Sequence, residues 1–295
     1  MRSSVSECIP WMIIGLAESV AIVTLNICTI IVFIRNRNLR RRSAYLVINL
    51  AVIDMFVGGF ALYRLFYWLG IGCNLWNWPS NEVDMSFFLL MVFFTCGSLI
   101  NIAIIALERV HATFFPFKHR VLKKWVYRLI IAVVWVKSGL VTLADTLLGE
   151  FDTVYYSIYL YPTFMSICLL IICVSYTSIV IKVRCGAQPQ HHGATSRERK
   201  LTMTLLIVTV VSLLLYLPNV IVSYVLFISK IEIMVSFSVF YHLHCTLLVL
   251  FYSNSLVNSI IYALRMPEYR SALLAFFSKL TQQQRQVAVF ALRDM

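Results

Sequence analysis

The chain has 295 residues, of which 60% are hydrophobic and only 13% charged, and its formal net charge is +12. Soluble domains carry about 25% charged residues, so a water-soluble fold of this composition would leave more apolar surface than it could cover. The basic excess would suit nucleic acid, which makes the placement of the charge more informative than its sum.

Seven apolar segments follow in chain order: roughly Trp11 to Ile34, Ala44 to Leu69, Asp84 to Leu107, Val126 to Leu148, Tyr155 to Ile181, Leu201 to Phe227 and Phe237 to Leu264. Each is about 20 residues or longer, enough to cross hydrocarbon as a helix, whereas barrel strands need only about ten. Backbone groups in lipid must bond within their own segment, so all seven are predicted to be transmembrane α-helices. Residues Met1 to Pro10 are too few for a cleavable signal peptide ahead of the first block, which is therefore expected to remain as a span. The expected organisation is an extracellular N-terminus over 1–10, a seven-helix domain over 11–264 and a cytoplasmic tail over 265–295.

In that tail Pro267 opens a segment in which Tyr269, Leu273, Phe276, Phe277 and Leu280 fall at helical spacing, with Arg270 and Lys279 among them. This predicts a short amphipathic eighth helix lying on the inner leaflet of an otherwise all-α membrane protein. The longest internal connection, Arg184 to Arg199, contains Gly186, Pro189 and Gly193 and reads as a mobile loop. No internal repeat is visible, and there is no room for a soluble catalytic domain, so no enzyme activity is expected.

Lys and Arg concentrate on alternate connections. Arg35 to Ser43 holds five, Arg109 to Arg128 six, Lys182 to Lys200 five and the tail from Arg265 five, which is 21 of the 25. Only Arg2, Arg64, Lys137 and Lys230 lie elsewhere. Positive residues stay cytoplasmic, so the N-terminus is expected outside and the C-terminus inside. The basic patches then serve topology and anionic lipid, and nucleic acid is not an expected partner.

None of the eight cysteines forms a zinc-type Cys-x-x-Cys pair. Cys28, Cys96, Cys168 and Cys173 fall inside apolar helices, where a thiol packs as a small hydrophobe. Cys8, Cys73 and Cys245 lie toward the outside and leave room for one disulfide. His242 and His244 are two apart on a helix and point to different sides, a poor arrangement for a metal.

Charges inside spans are costly and call for a functional reading. They are Glu18, Asp54, Arg64, Lys137 and Asp145, with Glu108 and Arg109 at the inner end of the third segment. Around them runs an ordered set of motifs. Asn26 lies in the first segment, Leu50-Ala51-Val52-Ile53-Asp54 in the second, and Glu108-Arg109-Val110 ends the third, followed by Pro116-Phe117. Trp135, Tyr176 and Pro218 mark the fourth, fifth and sixth, and Asn254 to Tyr262 closes the seventh. In this order the set resembles the rhodopsin-like (class A) G-protein-coupled receptors over almost the whole chain. That resemblance implies a plasma-membrane receptor which binds a small-molecule, lipid or peptide ligand outside and activates a heterotrimeric G protein inside through an outward movement of the sixth helix.

The sequence also departs from that family's pattern. Asp84 stands where most members have a third-helix cysteine, and Gly149 to Tyr159 offers no cysteine partner. Cys168 replaces the fifth-helix proline, Tyr216 the sixth-helix tryptophan and Ser259 the proline of the seventh-helix motif. A missing outer disulfide, a short second outer loop and no fifth-helix proline together resemble the melanocortin, adenosine and cannabinoid branch.

The resemblance implies that Asp54, Ser98, Asn254 and Asn258 converge between the second, third and seventh helices. Asn254 and Asn258, four apart, share a helix face. The set reads either as a pocket for a sodium ion or as a hydrated hydrogen-bond network without one. For Arg109 the plain reading is a snorkelling helix-end arginine. The functional one is a latch to Glu198, which lies 20 residues before Pro218, about 30 Å down the helix. Coupling and activation are assigned to Glu108, Arg109, Phe117, Tyr176, Glu198 and Tyr262, the ligand pocket to Arg64, Met91, Tyr216 and Tyr252. Arg64 would face an anionic or carbonyl-bearing ligand or snorkel to headgroups. Lys137 has no matching family role and is expected to meet a carbonyl or water.

Two rivals share the helices. A light sensor would need a lysine in the seventh segment for a retinal Schiff base; Tyr252 stands there, and the segment has no lysine. A transporter would show repeats, broken helices and a charged relay at the midplane, and the interior charges here are few.

Overall fold

In lipid a long apolar segment satisfies its backbone as a helix, and the described regular structure of the chain is helical. The computed structural model describes residues 5–36, 39, 43–73, 81–150, 154–185, 194–229, 237–278 and 282. The helices are α1 (Val5–Arg35), α2 (Ala44–Cys73), α3 (Asn81–Phe114), α4 (Pro116–Val121), α5 (Lys124–Glu150), α6 (Val154–Cys185), α7 (Ala194–Ser229) and α8 (Phe237–Arg265). A further helix, α9, covers residues 267–278. Spans one to seven are thus α1, α2, α3, α5, α6, α7 and α8. Six of them are long and apolar enough to cross a membrane over their described residues, and α7 contributes the shorter apolar stretch Val210–Val225. The protein is a multi-pass membrane protein with a seven-helix bundle.

The helices overrun the apolar segments. α1 starts at Val5, not Trp11, and runs through Pro10; α3 runs from Asn81 to Phe114. Hydropathy marks only the length in hydrocarbon, whereas a helix continues until its backbone meets a stop. Pro10 lies inside α1 and removes the N–H that would otherwise reach the Ser6 carbonyl.

α3 is the central strut, packed against α2, α5, α6 and α7, while α1 lies on α2 and α8. Glycines permit the tight α1–α2 approach. A Cβ on Gly58 would meet Ile22 Cγ2 at 2.7 Å, and one on Gly15 would meet Leu65 Cδ1 at 2.8 Å.

The connection after the third span contains the short helix α4, with Pro116 at its first turn. In α9, Tyr269 is fully buried, Leu273 and Phe276 are half-buried, and Leu274 and Phe277 are exposed. Phe277 therefore leaves the face assigned to it from sequence, and Leu280 lies outside the described residues.

One cysteine expectation needs correction. Cys173 is exposed on α6, not packed, because its helix turns that side outward. Cys245 is a free thiol, whereas Cys8 is disulfide-bonded. Lys137 projects from the outer side of α5 among exposed Val133, Val136 and Leu140.

Candidate functional site

Three clusters string the polar residues along the bundle. The central one surrounds Asp54, which is fully buried on α2. Ser98 of α3 donates to Asp54 Oδ1 at 2.7 Å, Ser255 of α8 to the same oxygen at 2.8 Å, and Asn258 Nδ2 to Oδ2 at 2.8 Å. Asn254 does not join them. Its amide donates to the Tyr216 hydroxyl at 2.9 Å, one helical turn away from Asn258, so it ties α8 to α7 instead of to α2. Sequence reasoning missed Ser255, although a residue three before Asn258 lies on the same face and could have been found by that spacing. Two amide oxygens here, Asn254 Oδ1 and Asn258 Oδ1, are buried with no hydrogen-bond partner among the described residues.

A second chain of bonds leaves this cluster along α1. Asn26 Nδ2 donates to the Ser255 carbonyl at 3.0 Å, and Ser259 Oγ donates to Asn26 Oδ1 at 3.1 Å. Thr29 Oγ1 lies 2.9 Å from Ser259 Oγ and 2.8 Å from the Tyr269 hydroxyl, which links α9 to the bundle. Burial raises the Tyr269 phenol above its ordinary pKa.

The second cluster closes the end of the bundle that carries the basic connections. Glu108 and Arg109 form an ion pair and are only 8% and 3% exposed. Arg109 Nη2 donates to Ser43 Oγ at 2.6 Å, and Ser43 Oγ donates to Glu108 Oε1 at 2.9 Å. His119 Nε2 of α4 stands 2.7 Å from the same carboxylate oxygen, and the Tyr127 hydroxyl of α5 donates to it at 3.1 Å. Arg109 is thus a buried, paired residue and not a snorkelling one. The Glu198 side chain, expected as its latch, lies outside the described side chains. His119, Tyr127 and Ser43 escaped the sequence because contacts from three separate elements follow no periodicity. Phe117 on α4 is 81% exposed. Tyr176 and Tyr262 are buried; the Tyr262 ring packs edge-on to Phe33 and Tyr269, with centroids 6.3 and 6.4 Å away.

The third feature is a cleft between α1, α2 and α8, with a cavity volume of about 40 Å³, lined by Trp11, Glu18, Arg64, Tyr241, His244 and Tyr252 among others. Ser253 donates to Glu18 at 2.7 Å. The Arg64 guanidinium lies 5.1 Å from the centroid of the Phe88 ring. Two residues assigned to the pocket from sequence stand off its wall: Met91 accepts a 2.9 Å hydrogen bond from Tyr252, and Tyr216 is held by Asn254.

A sequence profile described as "7 transmembrane receptor (rhodopsin family)" matches residues 25–262. The chain is 25% identical over 289 residues to the blue-sensitive opsin of Anolis carolinensis, an alignment covering 85% of this chain and 75% of the opsin. It is 29% identical over 119 residues to the histamine H4 receptor of Rattus norvegicus, covering 39% of this chain and 29% of that receptor, so less than a third of that relative is spanned. Among solved structures it resembles squid rhodopsin with a TM-score of 0.77 at 17% identity, over 95% of this chain and 88% of that one. At that identity the likeness is one of fold.

Proposed function

The chain belongs to the rhodopsin family of seven-transmembrane receptors, and from that premise we propose that it binds a ligand at its N-terminal end and activates a heterotrimeric G protein at its basic end. The charge asymmetry of the connections supports an extracellular N-terminus and a cytoplasmic basic end. The observation that carries the output half is the buried Glu108–Arg109 pair beside the exposed Phe117. A buried ion pair is a two-state element, because separating it strands a charge unless a new partner accepts it. An exposed aromatic among basic residues suits a protein contact better than lipid or core. Outward movement of α7 would open the cleft in which Arg109 meets the G-protein α subunit, a population shift with no covalent chemistry.

On the input side, the cleft between α1, α2 and α8 brings Arg64 together with Trp11, Tyr241 and Tyr252. Arg64 on its wall suits an anionic or carbonyl-bearing group, and the aromatic residues suit an apolar body. The Asp54 cluster fits a sodium ion: a carboxylate, two hydroxyls and the unpartnered Asn258 amide oxygen are hard donors of the kind such a cation requires. Light sensing by a retinal Schiff base is disfavoured, since α8 contains no lysine.

The test is nucleotide exchange on a panel of purified Gα subunits by the reconstituted, ligand-free receptor. Phe117→Ala and Arg109→Ala should each sharply reduce exchange at matched density of folded receptor, and the double change should add little to the stronger single one, since both act at one docking step. Wild-type exchange in both variants would remove the coupling assignment.

A further inference from the structure

Ionisable residues inside a membrane almost always face the bundle interior or a water-filled cavity. Lys137 does neither. It lies on the outward side of α5, exposed and flanked by the exposed apolar side chains of Val133, Val136, Leu140 and Leu143. No ion pair or hydrogen bond reaches it from the described residues.

Its depth makes escape to water difficult. Arg128 lies nine residues before it and Leu148 eleven after, which at 1.5 Å per residue are about 13 and 16 Å, so Lys137 sits near the middle of a hydrocarbon core about 30 Å thick. Helical side chains tilt toward the N-terminus of their helix, here toward Arg128. A lysine stem covers roughly one turn, about 5 Å, and so ends well short of the Arg128 level. The other charge on this stretch of α5, Asp145, is about 12 Å further along and opposite to that tilt. It is half-buried and does not reach the ammonium.

We propose that the outward face of α5 docks a single-span membrane protein whose transmembrane helix carries an aspartate or glutamate near the bilayer midplane, with Lys137 as its counter-charge. A cation held in hydrocarbon is relieved most effectively by a carboxylate at the same depth, and the smooth apolar row around it offers the packing surface. A second copy of the chain fits worse. Copies related by a twofold axis along the membrane normal bring equivalent residues to equal depth, so Lys137 would face Lys137. The inference uses only the membrane-spanning fold and is independent of G-protein coupling.

The experiment pairs the full-length receptor, reconstituted in neutral phosphatidylcholine, with leucine-rich single-span peptides and reads association by energy transfer. One peptide carries a central aspartate, a second has leucine in its place, and a third has the aspartate moved two turns toward an end. The central aspartate should raise association about tenfold over leucine. That gain should vanish in Lys137→Leu and persist in Lys137→Arg. Equal association of the first two peptides, or a gain that survives Lys137→Leu, would overturn the proposal. So would a preference for the displaced aspartate, which would mean that Lys137 snorkels to the surface. Receptor self-association that is lost in Lys137→Leu would assign the face to a second copy and equally overturn it.

Discussion

Glu108 accepts from Arg109, Ser43, His119 and Tyr127 at once. Glutamine in its place keeps the shape and one carbonyl acceptor, removes the negative charge, and sets an amide donor among four donors. Hydrogen bonds to a charged group contribute about 1.5–3 kcal/mol and neutral ones about 1, so the hold on Arg109 should weaken by roughly 1–1.5 kcal/mol. That is a factor of about 5–10 in the equilibrium between held and released Arg109. If the G protein selects the released form, and that form is rare at rest, ligand-free nucleotide exchange by Glu108→Gln should rise by about the same factor. The assay is guanine-nucleotide uptake by reconstituted Gα at matched receptor density, with Glu108→Gln/Arg109→Ala as the second arm. Exchange equal to wild type, or a rise that survives the loss of Arg109, would refute the latch.

Further outcomes follow from the other clusters. If Asp54 anchors sodium, raising sodium at constant ionic strength should raise the melting temperature of the purified receptor, and Asp54→Asn should abolish the effect; superimposable sodium curves would exclude the ion. For a ligand found by screening, Arg64→Ala should weaken affinity by about 2–5 kcal/mol, the cost of losing a desolvated charge contact, while an unchanged Kd would return Arg64 to the headgroups. Gly58→Ala should destabilise by about 1–3 kcal/mol, because its Cβ would meet Ile22 at 2.7 Å, and Gly59→Ala, with nothing within 4 Å, should stabilise slightly. Equal melting shifts for the two glycines would contradict the α1–α2 packing.

The departures from the family pattern acquire a physical meaning in this arrangement. Proline in the seventh span would remove an N–H and kink the helix. Ser259 keeps α8 helical through Arg265 and uses its hydroxyl to reach Asn26 and Thr29. Since Thr29 also meets Tyr269, the serine makes α1, α8 and α9 one hydrogen-bonded unit continuous with Asp54. Tyr216, in place of the tryptophan, supplies a hydroxyl for Asn254 and packs edge-on against Phe251, with centroids 5.2 Å apart.

What the sequence determined by itself is what depends on local spacing and solvent. Apolar runs of spanning length demand helices whatever packs beside them, and the alternating basic connections set the expected orientation. The spacing of residues around Asn258 would also have put Ser255 on the Asp54 face, a signal the motif comparison passed over. The tertiary structure decided what depends on rotation and on approach between distant segments. It turned Asn254 to Tyr216 instead of Asp54, because a reach of one helical turn selects a different neighbour. It brought His119, Tyr127 and Ser43 onto Glu108 from three elements whose separations carry no period. It also aimed Lys137 and Cys173 outward, since hydrophobicity alone is nearly the same on every side of a lipid-embedded helix and does not say which side meets protein.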